Sequence, residues 1–84
     1  MKGGNPMGKK FVDVTARFSA SGKIKPLNII WDDGRVYEID RVDDIRRAAS
    51  LKAGGIGIRF TCMIRNKQIY LFMDENIWFM EVDS

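Results

Sequence analysis

Residues 27–42, LNIIWDDGRVYEIDRV, are the stretch that decides the fold. Two runs of alternating apolar residues flank Asp32, Asp33 and Gly34, a pattern typical of a β-hairpin. A two-residue loop of Asp33 and Gly34 would mix polar and apolar side chains on both faces. A three-residue loop with Gly34 in the left-handed region gives one apolar and one mostly polar face. We therefore predict the three-residue loop.

This loop fixes the predicted register of the hairpin. It pairs Leu27 with Ile39, Asn28 with Glu38, and Ile29 with Tyr37. The apolar face then consists of Leu27, Ile29, Trp31, Tyr37 and Ile39. We expect Trp31 and Tyr37 to be buried on the same side, as framework residues.

Length and composition indicate one small domain. The chain has 84 residues, 45% of them hydrophobic and 30% charged, as in an ordinary globular protein. No apolar run approaches the roughly 18 residues that span a bilayer, and no signal-peptide core precedes the domain. The lone cysteine, Cys62, cannot form an intrachain disulfide, which agrees with a reducing compartment. We therefore expect a cytoplasmic protein with no membrane association.

The net charge of +3 is concentrated at the start of the chain. Lys2, Lys9 and Lys10 supply it, and the remaining residues carry eleven basic and eleven acidic side chains. Residues 1–8, MKGGNPMG, offer nothing to bury. We predict a disordered tail over 1–10 and a folded domain over 11–84. A basic charge that comes from a tail is weak support for a basic binding face.

Two segments flank the first hairpin. Residues 11–18 alternate as a half-buried strand should, with Val12, Val14, Ala16 and Phe18 on one side. Residues 43–53 are ambiguous, because Asp43 can cap a helix and Gly54 can end one, while the preceding strand enters without a breaker. We favour an extended or irregular continuation, with a short helix around 44–52 as the alternative.

The second hairpin has clear faces. Ile56, Ile58, Phe60, Cys62 and Ile64 alternate with Gly57, Arg59, Thr61, Met63 and Arg65. A turn at Asn66 and Lys67 would give the pairs Ile64–Ile69, Cys62–Leu71, Phe60–Met73, Met63–Tyr70, Thr61–Phe72 and Arg59–Asp74. After a further turn at 74–76, residues 77–82 form a last strand, apolar on both faces and therefore covered on both sides or by a partner.

Short strands with tight turns predict a mainly β fold. We expect an antiparallel meander of five or six strands, rolled into a small barrel-like domain that hides its edges and its apolar face.

The residue types argue against an enzyme. The chain has no histidine, which removes histidine-based nucleophile pairs and metal sites. Cys62 lies in an apolar row and is expected to be a buried structural thiol. The acidic pairs at 32–33, 43–44 and 74–75 lie at predicted turns or a helix start, where backbone reasons favour them. We therefore predict no catalytic residue, no metal and no cofactor.

Basic and aromatic residues on the second hairpin form the candidate interaction face. Its members are Arg59, Met63, Arg65, Tyr70 and Phe72. Arginines beside aromatic rings on a small β-domain are used by single-stranded nucleic-acid binders. The near-neutral charge of the folded part and the expected Arg59–Asp74 pair favour a face covered by another part of the barrel or by a second copy.

The string KPLNIIWDDGRVYEIDRV at 25–42 resembles that of small uncharacterised mainly-β proteins of Gram-positive bacteria. Residues 47–61 and the ending WFME at 78–81 share the resemblance, which covers most of residues 25–81. It implies a small mainly-β domain without a known catalytic residue. Some distantly similar actinobacterial proteins are encoded near DNA-repair polymerases, which points towards nucleic acid without identifying a binding residue.

The sequence therefore predicts a non-enzymatic protein-interaction module that pairs with itself or with a protein partner. The alternative is a small β-barrel that binds single-stranded nucleic acid. Exposed aromatics on so small a domain would mark an interface.

Overall fold

The computed structural model describes residues 7–49 and 56–83, which form eight β-strands. They are β1 (Met7–Phe11), β2 (Asp13–Phe18), β3 (Ile24–Ile30), β4 (Val36–Glu38), β5 (Arg41–Ala49), β6 (Ile56–Ile64), β7 (Lys67–Asp74) and β8 (Ile77–Asp83). One antiparallel sheet has the order β1-β8-β7-β6-β5, and a second has the order β2-β3-β4. The mainly β, antiparallel fold is confirmed, but with eight strands in two sheets where a meander of five or six strands was expected. The described part of the chain contains no helix.

The register of the first hairpin is confirmed. Asn28 pairs with Glu38 and Ile29 with Tyr37. Gly34 has a φ of 88° and donates its N–H to the Trp31 carbonyl at 2.9 Å, as the three-residue loop requires. Trp31 and Tyr37 are half-buried and meet edge to face, with ring centroids 6.5 Å apart.

One residue of the predicted apolar face does not lie there. Thr15 of β2 pairs with Asn28, but Ala16 pairs with Pro26, so Leu27 is an extra residue in β3. Such a bulge reverses the alternation of side chains beyond it. Pro26 is consequently buried, whereas Leu27 is 37% exposed.

The ambiguous segment is extended where it is described. Arg41–Ala49 forms β5 and pairs with β6, which confirms the extended interpretation over these residues and excludes the helix there. Residues 50–55 lie outside the described residues.

The predicted register of the second hairpin is wrong by two residues. Ile64 pairs with Lys67 and Phe60 with Leu71, so the turn consists of Arg65 and Asn66. Both turn residues have positive φ, 51° and 65°, as a tight hairpin turn requires. A slip of two residues preserves the faces, which is why the inward and outward sides of β6 are as expected.

Residues 7–10 were expected in a disordered tail, but they form part of β1. This strand pairs with β8, from Met7 opposite Asp83 to Phe11 opposite Phe79. Residues 1–6 lie outside the described residues.

Two chain segments pass from one sheet to the other. β1 leads into β2 through Val12, whose N–H donates to the Trp78 carbonyl at 3.2 Å. β4 leads into β5 through residues 39–40, where the Asp40 N–H donates to the Met63 carbonyl at 2.8 Å. Within residues 7–49 and 56–83, no ladder joins the two sheets into one closed barrel.

Both sheets contribute to one hydrophobic core. Its buried members are Val12, Ile29, Phe60, Cys62, Ile64, Leu71, Met73 and Trp78. Half-buried residues of the first hairpin, including Trp31 and Tyr37, pack against it. The other side of the five-stranded sheet faces away from this core, and the candidate site lies there.

Candidate functional site

The outer face is the side of the five-stranded sheet that points away from the core. Directly paired residues of antiparallel strands share a face. The ladders therefore place one row of side chains across all five strands: Arg46, Arg59, Phe72, Phe79 and Phe11. The row is basic at one end and aromatic at the other.

Three phenylalanines form the aromatic end of this row. The rings of Phe72 and Phe79 are stacked, with centroids 5.1 Å apart and planes 5° apart. Phe11 meets Phe79 edge to face at 6.2 Å, and the Lys9 ammonium lies 4.8 Å from the Phe79 centroid. Phe72 and Phe79 are each only 2% exposed, so neither ring offers a free face to a ligand.

Arg59 and Tyr70 form a cation–π pair beside the aromatic row. The Arg59 guanidinium carbon lies 4.8 Å from the Tyr70 ring centroid. Gln68 fixes the other end of the tyrosine, because its Nε2 donates to the Tyr70 hydroxyl at 3.2 Å. Tyr70 is 38% exposed, while Arg59 is half-buried and its Nε has no hydrogen-bond partner. This pair is the accessible aromatic and cationic feature at the centre of the face.

At the basic end of the row, the Asp44 carboxylate offsets part of the positive charge of the paired residues Arg46 and Arg59. Arg46 lies directly opposite Arg59, and its Nε donates to Asp44 Oδ2 at 2.7 Å. The hydrogen bond from Arg46 is the main reason that the pKa of Asp44 lies below its usual range, and the positive charges of Arg46 and Arg59 act in the same direction. The same bond raises the pKa of Arg46. This end of the face therefore has mixed charge.

The structure separates the five sequence-predicted site residues. Arg59 and Tyr70 are in contact, and Phe72 lies opposite Arg59 but is buried. Met63 is half-buried two residues before the turn. Arg65 lies elsewhere, because its guanidinium carbon is 5.2 Å from the Tyr37 ring of the small sheet. The expected Arg59–Asp74 pair does not form in the ladder, where Arg59 is opposite Phe72.

Sequence reasoning missed Lys9, Phe11 and Phe79 as members of the face. The apolar character of both sides of the last strand was a signal for Phe79, since it required a cover on the outer face. Lys9 and Phe11 gave no local signal, because they reach the face only through the long-range pairing of β1 with β8.

The acidic pairs at 32–33 and 43–44 have neighbouring cations as partners. Asp43 accepts from Arg41 Nε at 2.7 Å, Asp33 lies 3.2 Å from Arg35 Nε, and Asp32 pairs with Lys10. In the described part of the chain, no three histidine, cysteine or acidic side chains cluster in a way that could hold a metal ion.

Cys62 is buried, as expected. Its Sγ donates to the Phe60 carbonyl at 3.6 Å, and burial raises its thiol pKa to about 11. A thiol in this environment is a poor nucleophile.

Comparisons with known proteins give no relative. No protein-family model matches the sequence, and neither the curated proteins nor the solved structures yield a match. The resemblance to small proteins of Gram-positive bacteria therefore stays a prediction. Over residues 7–49 and 56–83, the structure has no helix of the length and apolar character needed to cross a membrane.

Proposed function

We propose that this protein is a non-enzymatic interaction module that pairs with a second copy of itself through the outer face. The supporting observation is the exposure of two large apolar side chains next to the buried aromatic row. Phe11 is 57% exposed and Ile77 is 53% exposed. Ile77 lies two residues from Phe79 and so shares its face, and Phe11 contacts Phe79. Covering these side chains would remove apolar surface from water.

The charges around this patch suit a second copy. Lys9 lies beside the aromatic rings, while Asp44 and Arg46 lie at the far end of the same face. A two-fold contact brings each surface against itself, so a face with both signs of charge can pair opposite charges.

The size of the face limits the expected affinity. Five strands at roughly 4.8 Å spacing make the sheet about 20–25 Å wide, and about six residues at roughly 3.3 Å each make it about 20 Å long. The face therefore covers on the order of 500 Å². A standard interface covers roughly 800 Å² on each partner. We therefore expect a weak dimer, with a dissociation constant on the order of micromolar or higher.

The test is a concentration series by sedimentation velocity and light scattering. We expect dimer to increase with concentration, and Phe11→Ser or Ile77→Ser to shift the protein to monomer. Phe18→Ser is the matched control, since Phe18 is 63% exposed but belongs to the small sheet. A monomer at all concentrations up to millimolar, or equal effects of Phe11→Ser and Phe18→Ser, would contradict the proposal.

Single-stranded nucleic acid is the second candidate, favoured by a separate groove. This groove of about 860 Å³ lies between the 19–23 turn and β5. Its described lining has four basic residues, Arg17, Lys23, Lys25 and Arg41, against one acidic residue, Asp40. The surplus of positive charge supports phosphate binding, although Arg41 is already paired with Asp43.

Oligonucleotide binding by fluorescence anisotropy tests this candidate. Neutralising about three phosphates, through Arg17, Lys23 and Lys25, predicts a slope near −2 for log affinity against log salt on a single strand. The double variant Lys23→Gln/Lys25→Gln should weaken binding and reduce the slope, while Arg46→Gln should not. Absence of binding at low salt would eliminate the candidate.

We also infer that the two sheets together act as one small barrel. The two chain segments that pass from sheet to sheet support this, since strands that bend from one sheet to the other form the corners of closed β-structures. Hydrogen exchange tests it: the amides of Val12 and Asp40 should be as protected as those within the ladders. Fast exchange at both positions would favour two open sheets.

A further inference from the structure

A second concave site lies between the two sheets, away from the outer face. It is a cavity of about 320 Å³, open to solvent at the end of the molecule where β6 turns into β7. Its walls are Ile29, Trp31, Tyr37, Ile64, Ile69 and Met80. This volume is at the lower end of the range of small-molecule sites, and the walls are of the apolar and aromatic type that such sites use.

Two cationic side chains lie at one side of this cavity, where β6 turns into β7. Arg65 and Lys67 belong to its lining, which among the described residues includes no carboxylate. The Arg65 guanidinium is held 5.2 Å from the Tyr37 centroid. The Lys10 ammonium lies 5.1 Å from the Trp31 centroid and pairs with Asp32. The cavity thus combines an aromatic interior with a positive rim.

The backbone of the β6–β7 turn positions Arg65 beside the cavity. Arg65 has a φ of 51° and is the first residue of the tight turn, which directs it back towards the small sheet. Its own N–H donates to Asp40 Oδ2 at 3.1 Å, so the turn is tied to the segment that follows β4. The arginine and Tyr37 are therefore held together before any ligand arrives, which reduces the entropic cost of binding.

We propose that this cavity binds a small planar aromatic anion. The ring would lie in the cavity against the side chains of Trp31 and Tyr37, which already contact each other edge to face, and the acidic group would remain near Arg65 and Lys67. Apolar walls favour the ring and the cations favour the charge, so neither part alone should bind as well as the two together. The proposal is independent of pairing through the outer face, because it involves different residues.

Naphthalene-2-sulfonate is the probe, and the uncharged naphthalene-2-sulfonamide is its matched control. Both have about 14 non-hydrogen atoms, for which a dissociation constant on the order of 1 mM or tighter is expected. Titrations are followed by backbone amide chemical shifts and tryptophan fluorescence. We expect saturable one-to-one binding of the sulfonate, with shift changes around Trp31, Tyr37 and Ile69, and weaker binding of the sulfonamide.

Three variants locate the site. Arg65→Gln and Lys67→Gln should each weaken sulfonate binding about two- to fivefold, as expected for exposed charge contacts, and leave sulfonamide binding unchanged. Ile69→Phe narrows the cavity and should weaken both probes. Lys25→Gln is the control variant, because Lys25 is basic and exposed but does not line this cavity.

Several results would overturn the proposal. One is the absence of saturation by the sulfonate up to about 10 mM, a concentration well above the dissociation constant expected for its size. Others are shift changes centred outside the cavity, or equal affinity for the two probes. Equal effects of Lys25→Gln and Arg65→Gln on sulfonate binding would also contradict it. An amide spectrum of each variant without probe checks that the fold is retained.

Discussion

Arg59 lies over the Tyr70 ring at 4.8 Å, and its Nε is buried without a hydrogen-bond partner. The arginine is held between a like-charged neighbour, Arg46, and an aromatic face, so the ring contact compensates part of the cost of burying its side chain.

We predict a favourable coupling between Arg59 and Tyr70. Cation–π pairs contribute about 0.5–1 kcal/mol when exposed and about 2 kcal/mol when desolvated. For this half-buried pair, a double-mutant cycle with Arg59→Met and Tyr70→Leu should give a coupling of about 1 kcal/mol. Denaturant unfolding supplies the four free energies. Tyr70→Phe retains the ring and is the control; if Tyr70→Phe and Tyr70→Leu showed the same coupling to Arg59, the ring would not be the source.

Gly57 is required where β6 approaches β7. A Cβ at this position would clash with the Met73 carbonyl oxygen and lie 3.1 Å from its carbonyl carbon. Because backbone atoms cannot move aside as a flexible side chain can, Gly57→Ala should lower the free energy of unfolding by about 1–3 kcal/mol. It should also speed amide exchange in the β6–β7 ladder.

Gly22→Ala is the control that separates the steric clash at Gly57 from the general cost of replacing a glycine. Gly22 has a φ of 87° but nothing within 4 Å of the added carbon, so only the left-handed backbone costs energy, about 1 kcal/mol. The exchange rates in the β6–β7 ladder should be unchanged in this variant. Equal acceleration in both variants would contradict the close-approach explanation.

The turn between β7 and β8 can be stabilised by substitution. Glu75 and Asn76 have positive φ, 51° and 68°, which is costly for glutamate and tolerable for asparagine. Asn-Gly is the preferred pair in such turns, so Glu75→Asn/Asn76→Gly should raise the free energy of unfolding by about 1 kcal/mol. Thermal denaturation of the parent chain and the double variant measures this difference in stability. The same Asn-Gly pair placed at Lys67 and Gln68, within β7, should destabilise; a stabilising effect there would argue for a different turn position.

Cys62 should make stability depend on alkaline pH. Its folded-state pKa of about 11 exceeds the ordinary value of 9.0, so the unfolded chain loses the thiol proton first. The contribution of the neutral thiol is complete below about pH 9 and declines as pH rises towards 11. The native thiol should therefore react with Ellman's reagent at pH 8 at least about a hundredfold more slowly than in 6 M guanidinium chloride.

Comparison with Cys62→Ala isolates this effect from other alkaline titrations. The difference in unfolding free energy between the two proteins should fall between pH 9 and 11, because only the parent chain has the buried thiol. A difference independent of pH, or rapid reaction of the native thiol, would contradict the burial of Cys62.

The sequence predicted those features that local alternation determines. The register around Gly34 was predictable because a one-residue slip would have exchanged an apolar face for a polar one. The register around Arg65 was not, because a two-residue slip leaves both faces intact, and arginine is an uncommon residue at positive φ. Leu27 was misplaced because a bulge has no clear sequence signal and reverses the side-chain parity.

The candidate site depended on long-range pairing and was only partly predictable. Arg59 and Tyr70 were found because they occupy neighbouring strands of one hairpin. The burial of Phe72 depends on stacking with Phe79 of the next strand, and Phe11 arrives from the other end of the chain. The composition of residues 1–8 offers nothing to bury, so a disordered tail was predicted. The strand β1 nevertheless forms through backbone hydrogen bonds with β8, and these need little apolar content.

The ladder between β1 and β8 also sets how the molecule responds to tension. Met7 lies opposite Asp83, so the chain enters and leaves the ladder at the same corner. A force applied through residues 7 and 83 would open this ladder one hydrogen-bonded pair at a time. A shearing geometry would instead load all of its pairs together. Fluorophores attached at residues 7 and 83 would, for the same reason, lie side by side.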